Sequence, residues 1–169
     1  MAMRFVENIS PLNLLKDEYM NQFSVPMKVD LNDDFFVLTG TLWGEIRGGS
    51  KEAKQNVGQV IKNRYVALKA HHPHATWREI CLAPLQFSCW NADDVNRSKI
   101  VATNNHFRTP SWKECAEVAW ELMHGTNPDR VKGAKNYYAN SALQPPKWAE
   151  KPAVITLDDG FNHYVYIPE

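Results

Sequence analysis

The sequence predicts a mainly helical α+β domain, and three features carry that prediction. Apolar residues recur at helical spacing over 35–46, 51–69 and 112–123. The segments Thr76-Trp77-Arg78-Glu79 and Ser111-Trp112-Lys113-Glu114 have the form of capping boxes that open helices. After Ala153 the apolar period shortens. Val154-Ile155-Thr156-Leu157, the turn Asp158-Asp159-Gly160 and His163-Tyr164-Val165-Tyr166-Ile167 then read as a C-terminal β-hairpin.

In chain order, residues 1–33 form a leader. Its Pro11-Leu12-Asn13-Leu14-Leu15 and Tyr19-Met20 suit a short amphipathic helix packing on the domain that follows, residues 34–169. Asp30 to Asp34 supply a turn and an N-cap. On the helix after Asp34, Phe35, Leu38, Leu42 and Ile46 share a face, and Glu45 stands at the edge of that face beside Leu38 and Thr41. Gly44 weakens this helix, and Gly48-Gly49 stop it. A second helix over 51–69 carries Ala53, Val57, Val60, Ile61 and Leu68 as its stripe. Arg64 falls inside the stripe with Asn63 beside it, so its charge needs an indoor acceptor, most simply a structural pair or a carbonyl clamp. Residues 84–91 are irregular and carry Gln86, Ser88 and Cys89. A later helix presents Trp112, Cys115, Ala119, Leu122 and Met123 and ends at Gly125, while Trp90, Trp112 and Trp120 are assigned to the core.

Composition narrows the function. The chain has 169 residues, with 19 Lys plus Arg against 19 Asp plus Glu, so it has no net field to hold nucleic acid or anionic lipid. No window of 18 apolar residues exists, so no membrane insertion is expected, and the N-terminus has no apolar signal-peptide core. Three cysteines are too few for a disulfide framework and read as buried reduced thiols. A monomer without cofactor or metal is expected.

The chemistry starts at Glu45. A carboxyl at the end of an apolar helix face, followed by a glycine-rich turn, is dry on one side and open on the other. Desolvation favours the neutral acid, the form a general acid needs. The surrounding motifs sharpen this. Trp43-Gly44-Glu45-Ile46-Arg47-Gly48, the helix ending in Asn63-Arg64, Gln86-Phe87-Ser88, Gly133-Ala134 with Tyr137-Tyr138, then Trp148, and finally Gly160-Phe161-Asn162-His163-Tyr164-Val165-Tyr166 occur in that order. Over roughly residues 36–166 the chain thereby resembles the SleB family of cell-wall hydrolases.

The resemblance implies a lysozyme-like domain that cuts the MurNAc–GlcNAc bond of the peptidoglycan glycan strand in the manner of lytic transglycosylases. It places the catalytic acid, later base, at Glu45. It implies substrate contacts from Gln86, Ser88, Tyr137, Tyr138, Asn140, Trp148 and His163, with Arg47, Asn63 and Arg64 supporting the site. The family block Glu-Ala-Arg-Gly-Glu is here Glu45-Ile46-Arg47-Gly48-Gly49, so the second Glu is missing and Ile46 replaces a small residue. Glu52, one turn on, is a candidate to take over part of that role. Asp93, Asp94, Asp158 and Asp159 read as caps or turn residues.

Three rivals stand beside this reading. A Cys–His peptidoglycan endopeptidase would use Cys89 and His163. A wall-binding or virion module on the same fold would have no activity. A metal amidase would use His71, His74 and His106, although the first two sit in a loop without ligand spacing. With no export signal expected, the setting that fits is a phage endolysin held in the host cytoplasm and released onto the periplasmic peptidoglycan.

Overall fold

A computed structural model describes residues 25–102, 105–125 and 127–168, together with Pro11, Leu14, Leu15 and Glu18. Most of the leader helix expected above therefore lies outside the described residues. Where the leader meets the domain, the Trp112 indole donates to the Pro26 carbonyl at 2.9 Å, and Val25 and Val29 pack against the core.

Five α-helices and a three-stranded antiparallel sheet make up the described part, a mainly helical α+β fold. Helix α1 (Asp34–Ile46) is capped by Asp33, whose carboxylate accepts from the Phe36 amide at 2.6 Å. Its whole length from Phe35 to Trp43 is buried, so it is the central helix rather than the amphipathic one its pattern suggests. Helix α2 (Lys51–His71) starts from a Ser50 cap. Helix α3 (Trp77–Leu82) has both halves of the expected capping box. Its first two amides also donate to the Asp34 carboxylate at 3.3 Å, tying it to the start of α1.

Helix α4 (Val95–Val101), capped by Asp94, had no sequence signal strong enough to predict it. Helix α5 (Pro110–His124) begins two residues earlier than expected. Thr109, not Ser111, is the cap, and Pro110 follows it, where a missing N–H costs nothing. Glu114 is thereby freed from the capping role and accepts from the almost fully buried Lys54 ammonium at 2.6 Å.

The expected hairpin is present as β2 (Val154–Asp158) and β3 (Asn162–Tyr166). A bulge between Ile155 and Leu157 leaves the Thr156 hydroxyl bonded to the Val131 carbonyl. A third strand, β1 (Asn136–Ala139), pairs with β3 to give the order β1-β3-β2. The register sets Tyr137 opposite Tyr164 and Tyr138 opposite His163. Successive strand residues point to opposite faces. Tyr164 is fully buried in the core, so Tyr137 faces inward and Tyr138 with His163 faces outward.

Candidate active site

Glu45 sits in the last turn of α1, half-buried, and its carboxylate is held on both oxygens. Oε1 accepts the backbone N–H of Cys89 at 3.0 Å, and Oε2 accepts the hydroxyl of Tyr137 at 2.9 Å. Each oxygen keeps a second acceptor position for a proton or a ligand. The Tyr137 phenol is a permanent donor. Burial, reinforced by the neighbouring Glu45 charge, pushes its pKa well above the tyrosine range, so it keeps its proton.

The amide that holds Oε1 belongs to a 3₁₀ turn, Ser88–Trp90, laid directly on α1. Two glycines one turn apart make room for it. A Cβ on Gly44 would lie 2.6 Å from Cys89 Cβ, and one on Gly40 would lie 3.4 Å from the Trp90 ring. Gly44 is thus a site of close approach within a helix that continues past it. The Trp90 indole fastens the turn by donating to the Thr41 hydroxyl at 2.9 Å.

The carboxyl opens onto a surface depression of about 470 Å³ lined by Gly44 to Gly49, Asn96 and Phe161. Among the described residues, Glu45 is the sole acidic one in that lining. Arg47 lies over the Trp43 ring at 4.6 Å and donates to Asn96 Oδ1 at 2.9 Å. The buried Lys54 donates to the Gly49 carbonyl at 2.7 Å and so braces the glycine turn.

The supporting residues behave as clamps. Asn63 donates to the Ala134 carbonyl at 3.0 Å. Arg64 bonds the Lys135 carbonyl, Asn136 Oδ1 and Gln86 Oε1, and lies over the Phe87 ring. Together they hang the approach to β1, and hence Tyr137, on α2. Burial lowers the proton affinity of the Arg64 guanidinium, and nearby Tyr137, Cys81 and Glu45 counter it, so the group stays charged.

The anticipated substrate residues divide into two groups. Tyr137 reaches Glu45 itself. Gln86 and Ser88 are exposed on the loop that delivers the Cys89 amide. By contrast, Tyr138, Trp148 and His163 form their own cluster on the outer face of the sheet. The Tyr138 ring is 4.9 Å from His163 and 6.0 Å from Trp148. His163 Nδ1 lies 3.3 Å from Asp158, and Asn140 donates to that same aspartate at 2.8 Å. Glu52 does not substitute for the missing family Glu. It pairs with Arg130 at 3.3 Å on the surface and is not among the residues lining the depression. Asp94 is a helix cap as expected, and Asp158 and Asp159 bond the amides of the β2–β3 turn.

Two lining groups escaped the sequence reading, Asn96 and Phe161. Asn96 stood in a helix too short to predict, and Phe161 was legible only as a spacer between Gly160 and His163.

The rival catalytic sets lack the geometry they need. Cys89 is fully buried, and burial with the adjacent Glu45 charge drives its thiol far above the range of a reactive cysteine. His163 lies across the sheet from it. His106 stacks among Trp43, Phe107 and Trp112, and no group of three or more metal-ligating side chains occurs among the described residues.

A half-buried, doubly braced carboxyl at the mouth of an open groove on a helical α+β domain defines a candidate acid–base site for an extended substrate. The chain belongs to the cell wall hydrolase family, whose pattern matches residues 48–164. It is a peptidoglycan-degrading enzyme of that family. Glu45 lies just before the matched span. No curated protein and no solved structure shows a significant match.

Proposed function

We propose that the protein cleaves the MurNAc–GlcNAc bond of the glycan strand as a lytic transglycosylase, with Glu45 as its one acid–base group. The observation that supports this is that Glu45 is the lone carboxylate among the described residues lining the depression. A conventional glycosidase sets two carboxylates across the scissile bond. A single one suffices when the nucleophile belongs to the substrate and is already close.

In the first step Glu45 gives its proton to the glycosidic oxygen as the bond from muramic C1 breaks, and the GlcNAc 4-hydroxyl departs. In the second, the Glu45 carboxylate takes the proton of the muramic 6-hydroxyl as O6 bonds to C1. The product is a 1,6-anhydro ring, the acid is regenerated, and no water is consumed. Tyr137 and the Cys89 amide hold the carboxyl in one orientation through both transfers.

Mass spectrometry of muropeptides released from purified sacculi tests the reading. Anhydro-muramic ends are expected from the native enzyme. Glu45→Gln is expected to lower the rate by at least ~10²-fold, the scale of general acid catalysis. Reducing ends, cut stem peptides, or an active Glu45→Gln would each overturn it.

A further inference from the structure

The reaction above needs a surface that holds a sugar ring beside Glu45, and we infer that Phe161 is that surface, a preorganised aromatic platform for one pyranose of the strand. This inference rests on the glycan-cleaving reading. Phe161 ends the three-residue connection between β2 and β3, lines the depression with Glu45, and is 42% exposed.

Scattered exposed apolar side chains are ordinary. This one stands on a backbone fixed from both sides. Its N–H donates to Asp159 Oδ1 at 3.0 Å, and its carbonyl accepts the Asn140 N–H at 2.9 Å. Asp159 is itself immobilised. Its Oδ1 also accepts the Asn162 amide at 2.9 Å, and its Oδ2 accepts the Tyr164 hydroxyl at 2.7 Å and the Asn56 side chain at 3.0 Å. Gly160, at φ +85°, allows the tight turn that this network holds.

A network of polar groups running from α2 to β3 thus fixes the backbone under one open ring. Ordering of that segment is complete before any ligand arrives, which lowers the entropic cost of binding. The C–H face of a pyranose packs on such a ring, while its hydroxyl and acetamido groups need polar partners at the edge. Arg47 and Asn96 supply those in the same lining. Asp159 is then a positioning residue and Phe161 a substrate-binding one.

The test pairs kinetics on solubilised, uncrosslinked glycan strands with calorimetric binding of a MurNAc–GlcNAc tetrasaccharide to the Glu45→Gln protein. Phe161→Ala is expected to raise KM, and Kd in the Glu45→Gln background, by about 3- to 10-fold, with kcat unchanged. Phe161→Trp is expected to restore both, and Phe161→Leu, apolar but without a ring, to restore neither. Unchanged KM and Kd in Phe161→Ala, or full rescue by leucine, would overturn the platform. Failure of the parent reading is separate, because a Glu45→Gln enzyme that still cleaves condemns the mechanism while the binding arm still reads Phe161. Should the alanine variant not fold, leucine against tryptophan decides alone.

Discussion

Tyr137 Oη lies 2.9 Å from Glu45 Oε2 and donates its proton there, linking the first strand of the sheet to the last turn of the first helix. The inner face of the sheet thereby acts as the back wall of the carboxyl, and its bond makes the carboxyl's orientation depend on sheet register. A one-residue slip of β1 against β3 would exchange Tyr137 for Tyr138 and leave Oε2 without its donor.

Tyr137→Phe removes that donor and little else. The expected result is a fall in kcat of about 10- to 100-fold with KM nearly constant, as for a misplaced catalytic group. A thermal midpoint lower by a few degrees would accompany it, from the loss of about 1 kcal/mol of net hydrogen bonding. Equal effects on kcat and KM would instead point to a direct contact with substrate. Steady-state kinetics on solubilised strands separates the two.

Much of the fold was legible because its signals are local. The capping box at Thr76 and Glu79, the stripe of α2 and the Asp158-Asp159-Gly160 turn each need only a few neighbouring residues, and all three formed as read. Of the candidate site, Glu45 and Tyr137 were named from the sequence and meet in the structure, but the second bond to the carboxyl was not legible. The Oε1 partner is the backbone amide of Cys89, and a backbone group leaves no mark in a sequence. Tyr137 and Tyr138 could not be told apart, since their opposite roles follow from the alternation of a four-residue strand that exists only through pairing with β3. Ser111 and Thr109 offer the same capping chemistry two residues apart, and Pro110, suited to the first helical position, sets the start at Thr109.

The three thiols give a second prediction. Cys81, Cys89 and Cys115 are fully buried, and burial pushes Cys81 and Cys115 up to about 12 and Cys89 higher still. In the native protein at pH 8 none is expected to react with iodoacetamide, and activity is expected to survive the treatment. Denaturant should expose all three to a thiol reagent. Stoichiometric labelling of the folded enzyme with loss of activity would return Cys89 to consideration as a nucleophile.

Ile46 and Gly49 give a third. A Cβ on Gly49 would lie 2.8 Å from Ile46 Cγ1 and 3.2 Å from Ala53 Cβ. The two departures from the family block are therefore one packing exchange, in which the isoleucine fills the space a side chain at 49 would need. Gly49→Ala alone is expected to cost about 1–2 kcal/mol through overpacking. In an Ile46→Ala background the same change should cost much less, giving a coupling of about 1 kcal/mol in a double-mutant cycle. Additive urea midpoints across the four proteins would show that the two positions are independent.

Asp159 gives the fourth, and its sign can be worked out. Burial opposes its charge, but the bonds from Asn56, Tyr164, Asn162 and Phe161 prevail and hold the carboxyl below the usual range. A folded-state value depressed in this way contributes stability above the unfolded carboxylate value of about 3.9, and that contribution is lost as pH falls through the folded value. Tyr164 adds no titration of its own near neutrality, because burial and the same aspartate push its hydroxyl upward. Asp159→Asn keeps the shape, replaces one acceptor oxygen by an amide nitrogen and removes the charge. It is expected to be less stable than the native protein by about 2 kcal/mol at pH 7, the scale of hydrogen bonds to a charged group. The two stability curves should converge below the carboxylate range, where the native aspartate is protonated as well. Urea midpoints measured from pH 7 down to pH 2 give the comparison. A gap that stays constant throughout would mean that the network acts through packing and not through the ionised carboxylate.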